Sequence, residues 1–526
     1  MDLSSRTTRR ALLATLSLLI LVPNWTLAQQ STDRPAAERP AAAGRSESAA
    51  PTAPGAGGPV QNFPSVGEQH RLPPDSTTKQ TVTLPDRTLN FSATAGSIRV
   101  FSQKGEPEAD IAYTAYQLDG GDPTTRPVTF FFNGGPGASS AWLQLGAAGP
   151  WRIAFGSNGV PPSAELKANA ETWLDFSDLV FIDPVSTGYS RFVSTSEDVR
   201  KGFFSTEGDV SVNALTVRRW LEKNGRLMSP KYIVGESYGG IRGPRVVRNL
   251  QTEQGVSIRG LILVSPVLDF RETTGSSLLQ YVASLPSMAA AAREAKGPVT
   301  RAAMADVERY AAGEFLADLV KGLADTEATN RLSDKFAELT GIDKAVSRRL
   351  AGRLDPIEFR REFDRRDGKV TGRYDASIMG FDPQPDSSFF HFDDPSLEPL
   401  LAPVTSAVVD LTTRKLNWKP DGSYEVLNND VNRAWDFGRG LNPLESITQL
   451  RQVLALDPKF KLIVTHGLFD LAAPYFGSKM LLDQLPAYAT PDRVKLEVYP
   501  GGHMFYSRDG ARQALRAEAQ AMMKMK

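Results

Sequence analysis

The segment Lys231-Tyr232-Ile233-Val234-Gly235-Glu236-Ser237-Tyr238-Gly239-Gly240 constrains this chain more than any other. An apolar run leads into G-x-S-x-G, the pattern in which a strand turns sharply into a helix and the glycines relieve crowding around a strained serine. Such a turn needs a sheet to carry it, and the sequence supplies strand-like runs at Ile111 to Leu118, Val128 to Phe132, Leu179 to Ile182, Tyr232 to Val234, Gly260 to Val264, Leu462 to Thr465 and Val494 to Tyr499. Several are apolar throughout rather than alternating, as strands are when helices cover both faces. The pattern predicts a mainly parallel α/β sheet with Ser237 exposed above its edge.

Composition narrows the chemistry. Lys plus Arg and Asp plus Glu both number 60, so bulk charge gives no reason to expect nucleic acid or an anionic membrane surface as partner. The chain has no cysteine, which excludes disulfides, thiolate nucleophiles and cysteine-based metal sites. Its 526 residues would allow three or four units at about 150 residues per domain, or one α/β domain with a large insertion.

Residues 1–28 read as a secretory signal peptide: Arg6, Arg9 and Arg10 precede an apolar run from Ala11 to Val22, and Thr26-Leu27-Ala28 offers a cleavage site. That run falls short of the roughly 20 residues a membrane span requires, so no stable membrane anchor is expected. Arg9-Arg10 also suits a twin-arginine signal. Residues 29–80, rich in Pro, Ala, Gly and Ser, read as a disordered linker that buries too little apolar surface to offset its chain entropy. Export without cysteine fits a periplasmic or secreted location.

The remainder divides into a first core part at 81–270, a block at 271–395 and a second core part at 396–526. In the block, Met304, Val307, Ala311, Phe315 and Leu319 recur at three- and four-residue steps, predicting a helix over about 300–323. The block reads as a helical insertion placed where a lid over an active site could sit, or as a packing subdomain; periodicity does not separate the two.

A serine hydroxyl is a weak nucleophile and needs a base, usually a histidine oriented by a carboxylate. The chain has four histidines. His70 ends the linker, His391 precedes the last strands, and His466 directly follows a strand. With a G-x-S-x-G serine the acid comes next and the histidine last, which selects His503 in Gly501-Gly502-His503-Met504. Asp470, in the loop after Leu462 to Thr465, is the expected acid, with Asp269 second. Donors for an oxyanion should include one from a Gly-rich loop after an early strand. Asn133-Gly134-Gly135-Pro136-Gly137 is that loop, and the N–H groups of Gly135 and Tyr238 are the expected pair. A phosphate loop would need a lysine after the glycines, and none is present.

Asn133-Gly134-Gly135-Pro136-Gly137, Gly235-Glu236-Ser237-Tyr238-Gly239, Asp183-Pro184 with Gly188-Tyr189-Ser190, and the late Asp470 and Gly502-His503 together resemble the serine carboxypeptidase family, peptidase family S10, in its bacterial form. The resemblance extends from about residue 95 to the C-terminus. It implies an α/β-hydrolase fold, removal of single residues from peptides with a free C-terminus, no metal or organic cofactor, and a substrate carboxylate held by the Asn133 side chain, the Gly134 N–H and Glu236. Esterase or acyltransferase chemistry on the same triad, and a non-catalytic scaffold, are the alternatives. Two positions depart from the family pattern: Ala147 stands where many members have a glutamate, with Gln144 one turn earlier as a substitute, and Ala138 where many have a cysteine.

Overall fold

In the computed structural model the strands are β1 (Ser76–Thr83), β2 (Thr88–Phe101), β3 (Pro107–Leu118), β4 (Val128–Phe132), β5 (Trp151–Ile153), β6 (Leu166–Ala168) and β7 (Asp178–Ile182). They continue as β8 (Arg191–Phe192), β9 (Lys231–Glu236), β10 (Gly260–Val264), β11 (Lys369–Thr371), β12 (Met379–Phe381), β13 (Lys461–Gly467) and β14 (Val494–Tyr499). The structure describes residues 71–526 apart from 157–160, 162, 274–276, 389–391, 439–442, 489–490 and 525–526. The signal peptide, most of the linker, His70 and His391 lie outside the described residues.

Ten strands form one sheet in the order β1-β2-β3-β7-β4-β9-β10-β13-β14, with β8 beside β3. From β7 to β14 every pairing is parallel, while β1, β2 and β3 form an antiparallel edge joined to β7. β1 begins at Ser76, inside the range read as linker up to residue 80.

The parallel strands are buried on both faces, and their alternate side chains feed two cores. Phe131, Val234, Ile262 and Ile463 join the helices Glu398–Asp410 and Asp509–Lys524 on one face. Phe130, Phe132, Ile233, Leu261 and Leu462 face the helices Thr206–Lys223, Gly239–Thr252 and Ile447–Leu456 on the other. Phe130 meets Trp220 edge-on with ring centroids 5.4 Å apart, and both are fully buried; each such side chain contributes on the order of 2 kcal/mol by burial.

The chain leaves β4 towards β7 and leaves β9 towards β10, so connections from these neighbouring strands diverge. A crevice opens outside the carboxyl ends of strands at such a switch point. The loops after β4 and β9, which carry Asn133–Gly137 and Ser237, flank it.

Between β10 and β13 the chain is mostly helical, with a β11/β12 hairpin set in it. Met304, Val307, Ala311, Phe315 and Leu319 are all buried. Their segment is not one regular α-helix: a 3₁₀ turn over Arg301–Met304 leads into the helix Ala305–Tyr310, a π-turn spans Ala311–Phe315, and Leu316–Lys321 resumes the α-helix. Steps of four residues drift around a helix of 3.6 residues per turn, and the wider π-turn restores the buried stripe. This region shares a core with Leu468, Phe469, Leu471, Tyr475 and Phe476, the residues that follow β13. Among the described residues no helix is long and apolar enough to cross a membrane.

Candidate active site

Ser237 follows β9 with φ at 61°, in the left-handed region where non-glycine residues are strained. Its neighbours hold it there. The Ser237 N–H donates to the Val264 carbonyl at 3.0 Å, and its carbonyl accepts from Gly240 at 2.8 Å and Val267 at 3.0 Å. Three glycines permit the crowding. A Cβ at Gly235 would lie 2.6 Å from the Gly239 carbonyl oxygen, one at Gly240 2.3 Å from that of Val267, and one at Gly134 2.4 Å from the Tyr238 nitrogen and 2.9 Å from Ser237 Cβ. The Gly-rich loop after β4 therefore rests on the turn itself. Helix Gly239–Thr252 starts directly behind the serine, presenting its N-terminal end to any charge that develops there.

Asp470 and His503 arrive from the loops after β13 and β14. His503 Nδ1 lies 2.7 Å from Asp470 Oδ2. A carboxylate only accepts, so Nδ1 carries a proton, and in the neutral ring Nε2 keeps a lone pair. The other oxygen of Asp470 accepts the N–H groups of Ala472 at 2.8 Å and Ala473 at 3.0 Å, and the carboxylate has no solvent exposure. Burial works against an imidazolium, but Asp470 and Glu236 outweigh it, so His503 holds a proton more strongly than an ordinary histidine. Ser265, next to Val264, donates its hydroxyl to the His503 carbonyl at 2.7 Å, which links the histidine loop to the strand that anchors Ser237.

The other sequence candidates are engaged elsewhere. His466 is buried on β13 with Nε2 2.9 Å from Ser478 Oγ, and burial pushes its pKa down to about 3. The Asp269 carboxylate is taken up by Arg271.

Glu236, immediately before the serine, is a buried carboxyl. Burial pushes its pKa up to about 7 against the opposing pull of His503 and of hydrogen bonds from Tyr506 and Asn133. Asn133 Oδ1 accepts the Leu143 N–H at 3.1 Å, which leaves its amide N–H₂ for Glu236. The Asn133 carbonyl accepts from Arg242, a buried guanidinium that also holds Asp209 through bonds of 2.7 and 3.0 Å. Tyr238 is fixed by Thr206 at 3.1 Å and by the Trp435 indole at 3.2 Å.

Gln144 does not stand in for the missing glutamate. Its amide donates to the Tyr116 hydroxyl at 2.8 Å, and Ala147 is buried beside it. Besides Asn133, the group that reaches Glu236 is Tyr506, whose hydroxyl is shared between the two carboxylate oxygens at 3.0 and 3.2 Å. Tyr506 carried no signal beyond its place three residues after His503. Tyr374 was missed as well; its carbonyl accepts the His503 N–H, and its ring meets the imidazole edge-on at 5.2 Å. It comes from the loop between β11 and β12, so the region joining β10 to β13 touches the histidine directly.

A cavity of about 480 Å³ lies between the loops after β10 and β13 and the helical region that joins them, lined in part by Val267, Leu268, Ala283, Ile357, Arg373 and Leu471; Val267 bonds to Ser237, and Leu471 follows Asp470 in the chain. Its size suits a small-molecule or side-chain subsite. No group of three or more His, Asp or Glu that could hold a metal ion occurs among the described residues.

Residues 85–310 match the family model Peptidase_S10, serine carboxypeptidase. Among curated proteins, serine carboxypeptidase-like 34 of Arabidopsis thaliana is 30% identical over 169 residues, covering 30% of this chain and 32% of that protein. Serine carboxypeptidase-like 17 of the same plant is 29% identical over 192 residues, 34% of this chain and 41% of that one. The chain thus matches about a third of the length of these relatives. Among solved structures, a prohormone-processing carboxypeptidase of Saccharomyces cerevisiae aligns over 82% of this chain and 91% of its own, with a TM-score of 0.53 and 16% identity. The fold is that of an α/β-hydrolase, and the sequence matches support the serine carboxypeptidase family.

Proposed function

With the serine carboxypeptidase family as premise, we propose that this chain is a serine carboxypeptidase of bacterial type that releases C-terminal residues from peptides after export to the periplasm or beyond. Ser237 Oγ attacks the last peptide carbonyl as His503 Nε2 takes its proton. Asp470 keeps the imidazole in the required tautomer and stabilises the imidazolium. The N–H groups of Gly135 and Tyr238 receive the oxyanion, for which the helix start behind Ser237 supplies a favourable field. His503 returns the proton to the leaving amine, and water hydrolyses the acyl-enzyme by the same route. Neighbouring substrate side chains occupy the cavity bounded by the loop after Asp470.

The observation that carries the reading is Glu236, a buried carboxyl beside the serine, bonded to Asn133 and about half protonated at pH 7, where an ordinary carboxyl is fully ionised. A carboxylate-bearing substrate can be held there because a protonated carboxyl donates to it. An ester substrate without a free carboxylate has no use for such a group. Hydrolysis rates of a blocked dipeptide and its C-terminal amide test this. The free acid is expected to react faster by about a hundredfold or more, the worth of a charge-assisted hydrogen-bond set. Equal rates would contradict the carboxypeptidase reading and favour an esterase or acyltransferase working with the same triad.

A further inference from the structure

We propose that Tyr506 is the positioning residue for Glu236, and that its hydroxyl sets the pH range over which the site admits a free C-terminal carboxylate. This rests on the reading of Glu236 as the carboxylate-binding group.

The argument starts from what surrounds Glu236. Asn133 reaches it from the loop after β4, Asp470 from the loop after β13, and His503 and Tyr506 from the turn after β14. Apart from Glu236 itself, the one carboxyl in that set is Asp470, already committed to His503 and to two backbone N–H groups. Among the described residues neither position 147, an alanine, nor Gln144, whose amide donates to Tyr116, supplies a second carboxyl to share a proton with Glu236.

Tyr506 fills that place differently. Its bonds of 3.0 and 3.2 Å span both oxygens of Glu236. The ring is held by close packing: a Cβ at Gly146 would lie 2.5 Å from Tyr506 Cε2, so only glycine lets the turn Gln144–Ala148 approach it. The hydroxyl is buried and faces a carboxylate, both of which raise its pKa well above that of ordinary tyrosine. It therefore remains a donor wherever Glu236 titrates. A paired carboxyl donates only while protonated, but this phenol donates to ionised Glu236 at every working pH and favours the charged form. Recognition of a substrate carboxylate needs the protonated form, so Tyr506 trims the alkaline side of the binding range. The result is a single proton step rather than a shared one.

The test is Tyr506→Phe in the full chain, which removes one oxygen and keeps the ring against Gly146. KM and kcat for a blocked dipeptide are measured from about pH 5 to about pH 9, a range that spans the midpoint. Glu236 without its donor protonates more readily, so the rise in KM is expected to move up by about one pH unit, giving several-fold tighter binding on the alkaline side. The acid-side kcat is expected to stay within about threefold. A double variant with Glu236→Gln should have a flat KM profile, identical with and without the Tyr506 hydroxyl; this arm also stands if the single variant is too unstable to titrate. A wild-type profile that rises with pH but does not move in Tyr506→Phe would overturn the proposal alone. So would a uniform increase in KM without a shift of midpoint. A wild-type profile that is already flat would overturn both the proposal and the carboxypeptidase reading.

Discussion

His503 Nδ1 and the carboxylate of Asp470 meet at 2.7 Å in a site where the aspartate has no solvent exposure and its second oxygen is occupied by two backbone N–H groups. A carboxylate so placed can do little except fix the histidine's tautomer and carry its charge. Asp470→Asn keeps the shape but invites the wrong tautomer, and kcat for peptide hydrolysis is expected to fall by about a thousandfold to ten-thousandfold. His503→Ala should cost about a thousandfold or more in kcat. A loss under about tenfold in single-turnover assays of His503→Ala would mean that the base is another group.

The pH dependence follows from two buried groups with opposite requirements. In the proposed role Glu236, pushed up to about 7 by burial, binds a carboxylate only when protonated, so KM is expected to rise as pH increases through that value. As the proposed base His503 must be neutral, so kcat is expected to fall as pH drops through its raised pKa. Stability has the same sign as binding. A buried carboxyl whose pKa is higher folded than unfolded favours the fold at low pH and loses that contribution as pH rises through the folded value. Glu236→Gln removes the ionisation, so its Tm advantage over wild type is expected to be larger near pH 8 than near pH 5. Melting curves at both pH values check this; an advantage independent of pH would contradict it.

Gly240 tests the crowding under the serine turn. A Cβ there would lie 2.3 Å from a backbone oxygen that cannot swing away. Gly240→Ala is expected to destabilise by about 2 to 4 kcal/mol and to reduce kcat, because the displaced segment at Val267 hydrogen bonds to Ser237. The helical Gly202 has open space within 4 Å, and Gly202→Ala should be neutral or stabilising by about 0.5 to 1 kcal/mol. Denaturant unfolding of the pair separates the two cases.

The buried pair Asp209 and Arg242 ties helix Thr206–Lys223 to the elbow helix and to the Asn133 carbonyl. Arg242→Met leaves a buried carboxylate without its partner and should cost about 3 to 5 kcal/mol. Adding Asp209→Asn should recover part of that loss, giving a double variant less destabilised than the sum of its singles. Chemical denaturation of all four proteins measures the coupling, and strict additivity would contradict it.

The sheet was legible because its central strands are apolar on both sides: Val128–Phe132 and Gly260–Val264 have the bounds their composition suggests. β1 and β2 escaped notice because they form an edge hairpin in which Thr, Ser and Gln alternate with residues such as Val82 and Phe91, and its start merges with polar linker sequence. At the site, glycine and histidine spacing pointed to the loops that converge. The tyrosines were not legible. Tyr506 and Tyr374 acquire their roles from packing against Gly146 and Gly502, contacts made across 360 and 128 residues of chain, and nothing in a tyrosine's local sequence marks it as a donor to a distant carboxylate. Gln144 failed for a related reason: proximity in sequence to Ala147 mattered less than Tyr116, which took its amide first.

The most direct test of a serine carboxypeptidase centred on Ser237 is the order in which residues leave a peptide with a free C-terminus. Wild-type protein is expected to release the last residue, then the one before it, while Ser237→Ala releases none above background. Internal or N-terminal cleavage, or equal release by Ser237→Ala, would contradict it.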